Sequence, residues 1–122
     1  MSYSYNPLFK GPIANAAIQY VVVPIHNEIT QGGQIGISII WPDAVSAATF
    51  ALEYSDLDPS EAPYDVLGDA SKWIPSGVAI AAVVAGAVGA KVVDVPFVPH
   101  KRARLKITAT ANSNFDIRDG LA

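Results

Sequence analysis

The chain contains no cysteine, and its only histidines are His26 and His100. The absence of cysteine excludes disulfide bonds and thiolate metal sites. The two histidines are far apart in the sequence and do not supply the several imidazoles of a cupin-type metal site, so we expect neither a metal nor another cofactor. Charged residues are also scarce, at 16%, whereas hydrophobic residues make up 51%, and this balance predicts a folded domain.

Basic residues are missing from a long interval, because no Lys or Arg occurs between Lys10 and Lys72. Acidic side chains crowd the end of that interval, over residues 53–69, and four of the eight basic residues follow within residues 101–106. One short basic strip in a chain of net charge -3 is a poor nucleic-acid binder, which needs many phosphate contacts. Separate acidic and basic patches favour contacts between copies or docking on a larger partner.

No apolar run is long enough to span a membrane, which takes roughly 20 residues. The longest, residues 78–90, ends at Lys91 and is interpreted as buried strands around a small-residue turn, although a short buried helix or a membrane-active segment stays open. The N-terminus lacks the pattern of a signal peptide. We therefore expect no membrane association.

Residues 101–111 alternate between polar and apolar side chains almost without error. Successive side chains of a strand face opposite sides, so the segment predicts a half-buried strand. Arg102, Arg104 and Lys106 are predicted to face solvent, where arginines can reach the carboxylates of a neighbour, while Leu105 and Ile107 face the core.

Similar short patterns recur along the chain, separated by turn signals every 8–12 residues. Residues 35–41 and 49–54 alternate, and in the second segment Phe50, Leu52 and Tyr54 are predicted to face the core while Ala51 and Glu53 face outward. Residues 78–84 and 91–95 are interpreted as a hairpin. The prediction is an all-β fold, a jelly-roll or β-sandwich of about eight short antiparallel strands. In 122 residues this is a single domain over 15–122, preceded by an extended N-terminal arm over 1–14.

The arm and the two charged segments supply the candidate interface. Aromatic groups of the arm are costly to leave in water, so the arm is expected to pack on its own domain or on a neighbour, and its removal is expected to weaken assembly while leaving the fold intact. The predicted interface residues are Tyr3, Tyr5, Phe9, Arg102, Arg104, Lys106, Asp56, Asp58 and Glu61.

No catalytic pattern is present. The acidic stretch begins at Asp56 like a calcium loop, but Glu61 replaces the required glycine and Leu67 the bidentate acid. No serine lies in a nucleophile-elbow pattern, and we predict that the chain is not an enzyme. An enzyme would require the acids of residues 53–69 to line a pocket. Trp41 and Trp73 would stack on a sugar if both were exposed on one sheet face, whereas burial at the core rim is the plainer interpretation.

Four segments together resemble small jelly-roll structural proteins of tailed bacteriophages, of the capsid decoration or cement type. They are 37–41 (ISIIW), 48–56 (ATFALEYSD), 72–74 (KWI) and 102–107 (RARLKI). In that family a T-F-x-L-E-x-S-D strand precedes an acidic loop, a Trp and a late R-x-R-L-K strand. The resemblance covers roughly residues 35–111.

The resemblance implies a non-enzymatic virion protein. Such a protein is made in the host cytoplasm, lies on the capsid surface, binds the major capsid protein and stabilises the head. It is also expected to bind itself as a dimer or trimer, and to bind neither nucleic acid nor membrane. A tail or head–tail component is the structural alternative, and a carbohydrate-binding β-sandwich module is the alternative from another class.

Overall fold

The computed structural model describes residues 5–23, 34–55, 73–96 and 102–121. Eight strands and no helix occur in these ranges. The strands are β1 (Tyr5–Ile13), β2 (Ile18–Val23), β3 (Gln34–Trp41), β4 (Ala48–Ser55), β5 (Ile74–Pro75), β6 (Gly89–Pro96), β7 (Arg102–Ala109) and β8 (Ser113–Leu121).

The strands form two four-stranded sheets, which we name sheet A, with the order β1-β8-β3-β6, and sheet B, with the order β2-β7-β4-β5. Every pairing in both sheets is antiparallel. Buried side chains from the two sheets belong to a single hydrophobic cluster. The predicted all-β sandwich of eight antiparallel strands is therefore confirmed.

The pairings follow a regular series along the chain. β1 pairs with β8, β2 with β7, β3 with β6, and β4 with β5. These are the pairings of one long hairpin whose two arms run from β1 to β4 and back from β5 to β8. Successive pairs fall in alternate sheets. In sheet A the β3–β8 pairing joins the pairs β1–β8 and β3–β6, and in sheet B the β4–β7 pairing joins the pairs β2–β7 and β4–β5. The chain is thus a long hairpin rolled into a sandwich.

Strand β7 shows why the alternation in the sequence was informative. Its apolar residues Ala103, Leu105, Ile107 and Ala109 are each exposed by 1% or less. β7 is paired on one side with β2 and on the other with β4, so these side chains meet the core at the centre of sheet B. Burying one large side chain of this kind stabilises the fold by about 1.5–3 kcal/mol.

An aromatic pair links the two sheets across the core. Phe50 of β4 and Phe115 of β8 pack edge to face, with ring centroids 5.6 Å apart and an interplanar angle of 85°. This is the arrangement that aromatic quadrupoles favour. On β4 the predicted facing is confirmed, because Leu52 and Tyr54 are buried while Ala51 is exposed.

Residues 5–13 are not an extended arm but strand β1 of sheet A. Leu8 and Phe9 pack against the core, and Ile13 is buried. The register with β8 shifts between Pro7 and Phe9, and this irregularity breaks the two-residue period that would identify a strand in the sequence. The large apolar groups of this segment are therefore covered by its own domain.

The predicted hairpin between residues 78–84 and 91–95 is also wrong. Strand β6 pairs with β3, and residues 78–84 contain no strand, although Val83 forms an isolated bridge to Ala48. The segment between β5 and β6 turns through Gly77 and Gly86, which adopt positive φ angles of 80° and 141° that glycine tolerates best. Its small side chains give the segment little with which to hold a regular strand.

Deletion of residues 1–14 is expected to unfold the domain. The change removes β1, leaves one edge of β8 unpaired and exposes the core around Ile13. Each lost apolar side chain costs about 1.5–3 kcal/mol, against a typical stability of only about 5–15 kcal/mol. Urea denaturation followed by circular dichroism measures the loss. Deletion of residues 1–4, which leaves β1 intact, is the control; equal stability of the 1–14 deletion and the full chain would contradict this role of β1.

Stability is expected to fall in alkali through Tyr54. Burial raises the pKa of its phenol above the ordinary value of 10.0. At a pH between the unfolded and the folded pKa, the folded state keeps this proton and the unfolded state has lost it. The contribution of Tyr54 to stability is therefore fully present below about pH 10 and is lost as the pH rises through the folded pKa. Urea denaturation at several pH values should show the stability advantage of the wild type over Tyr54→Phe shrinking only above about pH 10. A constant difference to higher pH would contradict the assignment.

Candidate functional site

The most developed polar cluster lies on the outer face of sheet B, at the middle of its strands. Arg104 of β7 stands directly opposite Glu53 of β4 on one side and Val22 of β2 on the other. Although Arg104 belongs to the outer row of side chains, it is only 1% exposed. The groups that bury the Arg104 side chain therefore determine its role.

Two aromatic rings and one carboxylate enclose the guanidinium of Arg104. The central carbon lies 4.0 Å from the ring centroid of Tyr20 and 4.3 Å from that of Trp73. Its Nε donates a hydrogen bond of 2.8 Å to Oε1 of Glu53. Stacking on aromatic faces is worth about 2 kcal/mol for a desolvated cation–π contact, and the charge-assisted hydrogen bond adds to it. We call Arg104, Tyr20, Trp73 and Glu53 the arginine cluster.

The arginine cluster corrects the prediction that Arg104 faces solvent and binds a neighbour. The alternation of the strand correctly indicates the sheet face, but Tyr20 from β2 and Trp73, the residue before β5, cover the side chain there. Arg104 satisfies Glu53 of its own chain instead of an acid of another copy. Its charge therefore stabilises this domain and is not offered at the surface.

The two other basic residues of β7 have different positions. Lys106 is half-buried on the outer face, between Tyr20 of β2 and Ala51 of β4 in the strand register. It lies beside a shallow depression that Thr49 and Thr108 also line. Arg102 is the first residue of β7, and its side chain lies outside the described part of the chain. Of the predicted basic row, Lys106 is thus the member that the structure places partly in solvent.

The remaining predicted interface residues belong to the predicted arm, residues 1–14, and to the acidic stretch, residues 53–69. Tyr3, Asp56, Asp58 and Glu61 lie outside the described residues, so the acid-lined pocket that an enzyme would require is not described either. Tyr5 begins β1, and its side chain is likewise not described. Phe9 is half-buried and packs against the core, which ties it to its own domain.

The two tryptophans do not form a platform for a sugar. Trp73 is 5% exposed and covers Arg104 on sheet B. Trp41 ends β3 in sheet A, where its Nε1 donates a 2.9 Å hydrogen bond to the carbonyl of Ala87. A Cβ at Gly89, the residue opposite, would lie 2.7 Å from the Trp41 ring, so the indole rests directly on that backbone. Both rings therefore serve packing.

A second polar site, which the sequence did not indicate, is an open cleft on sheet A of about 560 Å³. Lys10, Asp43, Asn114 and Asp116 are among the residues that line it. They come from β1, the β3–β4 turn and β8, and only the fold brings them together. No sequence motif could have joined residues so far apart.

The carboxylates of this cleft are already engaged. Asp116 is 8% exposed and accepts hydrogen bonds from Arg118, the closest at 2.9 Å from Nη2. The same contact, through hydrogen bonding first and charge second, raises the pKa of the Arg118 guanidinium. Asp43 accepts a 3.2 Å hydrogen bond from the backbone N–H of Val45 within its own turn. These contacts hold the turn and β8 in place.

Neither site has the arrangement of a metal centre. Within residues 5–23, 34–55, 73–96 and 102–121, no three His, Asp or Glu side chains come together as metal ligands would. Among the same residues there is no helix with the length and apolarity needed to cross a membrane.

Comparisons of the chain with protein-family models, with curated proteins and with solved structures found no match in any of the three.

Loss of Arg104 is expected to destabilise the domain by about 3–5 kcal/mol. Glu53 would be left partly buried without its cation, and the rings of Tyr20 and Trp73 would lose the guanidinium that packs against them. The measurement is urea denaturation of Arg104→Met, Glu53→Gln and the double variant. We expect the summed losses of stability of the two single variants to exceed the loss of the double variant, because the double variant leaves no buried charge unpaired. Arg104→Lys is the matched control for charge without a planar group. Full stability of Arg104→Met would contradict the role of the arginine cluster.

Proposed function

We propose that this chain is a non-enzymatic structural protein of a bacteriophage virion, which binds the major capsid protein shell as a decoration or cement protein and stabilises the head. The observation that carries the proposal is the series of strand pairings β1–β8, β2–β7, β3–β6 and β4–β5. These pairings are the ones expected of a jelly roll, the fold that the resemblance implies, and they support the proposal in that respect.

One end of the sandwich offers a surface suited to such binding. The β3–β4 turn and residues 83–88, the last part of the segment between β5 and β6, both lie at this end, since Val83 bridges to Ala48 and Gly89 is the register partner of Trp41. They present Val45, Val84 and Val88 with exposed fractions of 56%, 77% and 61%. Exposed apolar groups gathered on a small domain are typical of interaction sites. We call these three valines the apolar end.

The apolar end is held in place before any partner arrives. The backbone N–H of Gly86 donates a 2.8 Å hydrogen bond to the carbonyl of Ala44, which joins the two loops. Val83 and Ala48 exchange hydrogen bonds of 2.9 and 3.1 Å, which tie the segment between β5 and β6 to β4. A preorganised surface loses less conformational entropy on binding. Weak contacts of this size become effective when they repeat over a lattice of sites.

The alternatives make different demands. A tail or head–tail component would use the same fold in a few copies per particle. A carbohydrate-binding module would need exposed rings on one face, and Trp73 is buried on sheet B while Trp41 lies in sheet A. The burial of Trp73 therefore disfavours the carbohydrate-binding module.

Quantitative mass spectrometry of purified virions that encode this chain tests the proposal. Because a shell has many equivalent sites, we expect on the order of hundreds of copies per particle relative to the major capsid protein. A handful of copies would move the chain to the tail or portal. Complete absence from the particle would overturn the virion assignment.

A variant of the apolar end and a control variant elsewhere on the surface can be compared by the same mass spectrometry. Val84→Asp combined with Val88→Asp is expected to lower the copy number at least tenfold, which corresponds to about 1.4 kcal/mol per site. Val92→Asp changes an equally exposed valine, at 67%, on β6 of sheet A and should leave the copy number unchanged. Circular dichroism of the purified variants confirms that they are folded. Equal incorporation of both variants would exclude the apolar end as the shell contact.

A further inference from the structure

Among residues 5–23, 34–55, 73–96 and 102–121, the strands at the sheet edges are β1 and β6 in sheet A and β2 and β5 in sheet B. An edge strand carries a row of backbone N–H and C=O groups that can pair with another chain. Proteins that stay monomeric block such edges with proline, charged side chains, bulges or very short strands.

Three of the four edges carry such a block. β1 contains Pro7 and Pro12 and has a register shift after Pro7. β6 carries Lys91 and Asp94. β5 consists of only two residues, one of them a proline. Strand β2 is different, because its sequence IQYVVV has no proline, glycine or charged residue, and its register with β7 runs without a shift.

The hydrogen bonds of β2 show which of its backbone groups are free to pair. The N–H of Ala109 donates to the carbonyl of Ala17, so residue 17 faces β7, and the antiparallel alternation makes Gln19 face β7 as well. Ile18, Tyr20 and Val22 therefore direct their N–H and C=O groups away from β7. The carbonyl of Tyr20 points outward and accepts a 3.1 Å hydrogen bond from the Gln19 side chain, and its second lone pair can still accept one from a neighbouring strand.

We propose that β2 pairs antiparallel with β2 of a second copy of this chain, about a two-fold axis beside Tyr20. In this register Tyr20 lies opposite Tyr20 of the second copy, and Ile18 lies opposite Val22. Each of these pairs exchanges two backbone hydrogen bonds, so every outward group of the strand is used. A shift of the register by two residues leaves outward groups unpaired. The two copies of sheet B become one continuous sheet.

The side chains of the outer face favour the same partner. Ile18 and Val22 are 49% and 39% exposed, and the proposed register places them directly against each other in an apolar cross-strand pair. An isologous contact of this kind requires a self-complementary surface, which a strand with apolar residues on both sides of Tyr20 provides.

Charge does not oppose the pairing. β2 itself is uncharged. Glu53 neutralises Arg104, the register partner of Val22 in the next strand. The two Lys106 residues would be three strand spacings apart, about 14 Å, which exceeds the screening length of about 8 Å at physiological salt. The inference depends on the β2 edge alone and not on the virion assignment, because it is tested on the purified chain.

Sedimentation equilibrium of the full chain and of the double variant Ile18→Lys/Val22→Lys tests the proposal. We expect a dimer for the wild type and at least a 100-fold weaker dimer for the variant, because lysines then stand opposite lysines. Val92→Lys places one exposed lysine on β6, an edge of the other sheet, and should remain dimeric. If the double variant does not fold, Val22→Pro replaces it, because it removes one outward N–H and leaves the β7 pairing intact.

Amide hydrogen exchange identifies the surface that the dimer uses. In the proposed dimer the N–H groups of Ile18, Tyr20 and Val22 are protected in the wild type and lose this protection in the double variant. Those of Gln19 and Val21, which face β7, stay protected in both. A wild type that is monomeric at several hundred micromolar, or a dimer in which the outward amides exchange freely, would overturn the proposal.

Discussion

Strand β7 is buried on its inner face and, at Arg104, on its outer face as well, and the rest of the sandwich depends on that double burial. Its inner side chains, Leu105 and Ile107, are fully buried in the core, whereas its outer Arg104 is buried by the arginine cluster. A charge is costly to remove from water unless it is paired and hydrogen-bonded, so burial of Arg104 requires Glu53 and the two rings to be in place. The position of β7 thus constrains β2, β4 and the residue before β5 at once.

This constraint explains how a very short strand can close sheet B. β5 has two residues and pairs with β4 only at Glu53 and Tyr54. Two register pairs alone hold a strand weakly. Trp73, just before it, packs on Arg104 and is nearly excluded from solvent, so the stacking fixes the chain where the backbone pairing is thin. An apolar side chain in place of Arg104 would fill space but would not hold Glu53 and both rings in one geometry.

Alternation with a period of two was enough to predict the all-β class, the course of β7 and the facing of β4, because those strands are regular and central. The same signal failed for β1, where the register shift after Pro7 interrupts the period, and for residues 78–84, which are apolar without being a strand. It also failed for Arg104. The period states which face of a sheet a side chain occupies, and only tertiary structure places Trp73 over that face. The cleft around Asp43 and Asp116 could not be predicted for a similar reason, because the residues that line it are far apart in the sequence and meet only in the folded chain.

The two proposed contact surfaces do not compete with each other. The apolar end lies at the ends of the strands, where the β3–β4 turn meets the segment before β6, whereas the β2 edge runs along the side of sheet B. A dimer formed through β2 would therefore carry two apolar ends. Two linked sites bind a repeating surface more tightly than either alone, provided that their separation matches the repeat. The rigidity of one continuous sheet would set that separation, so the geometry of the dimer would select the lattice positions that it can bridge.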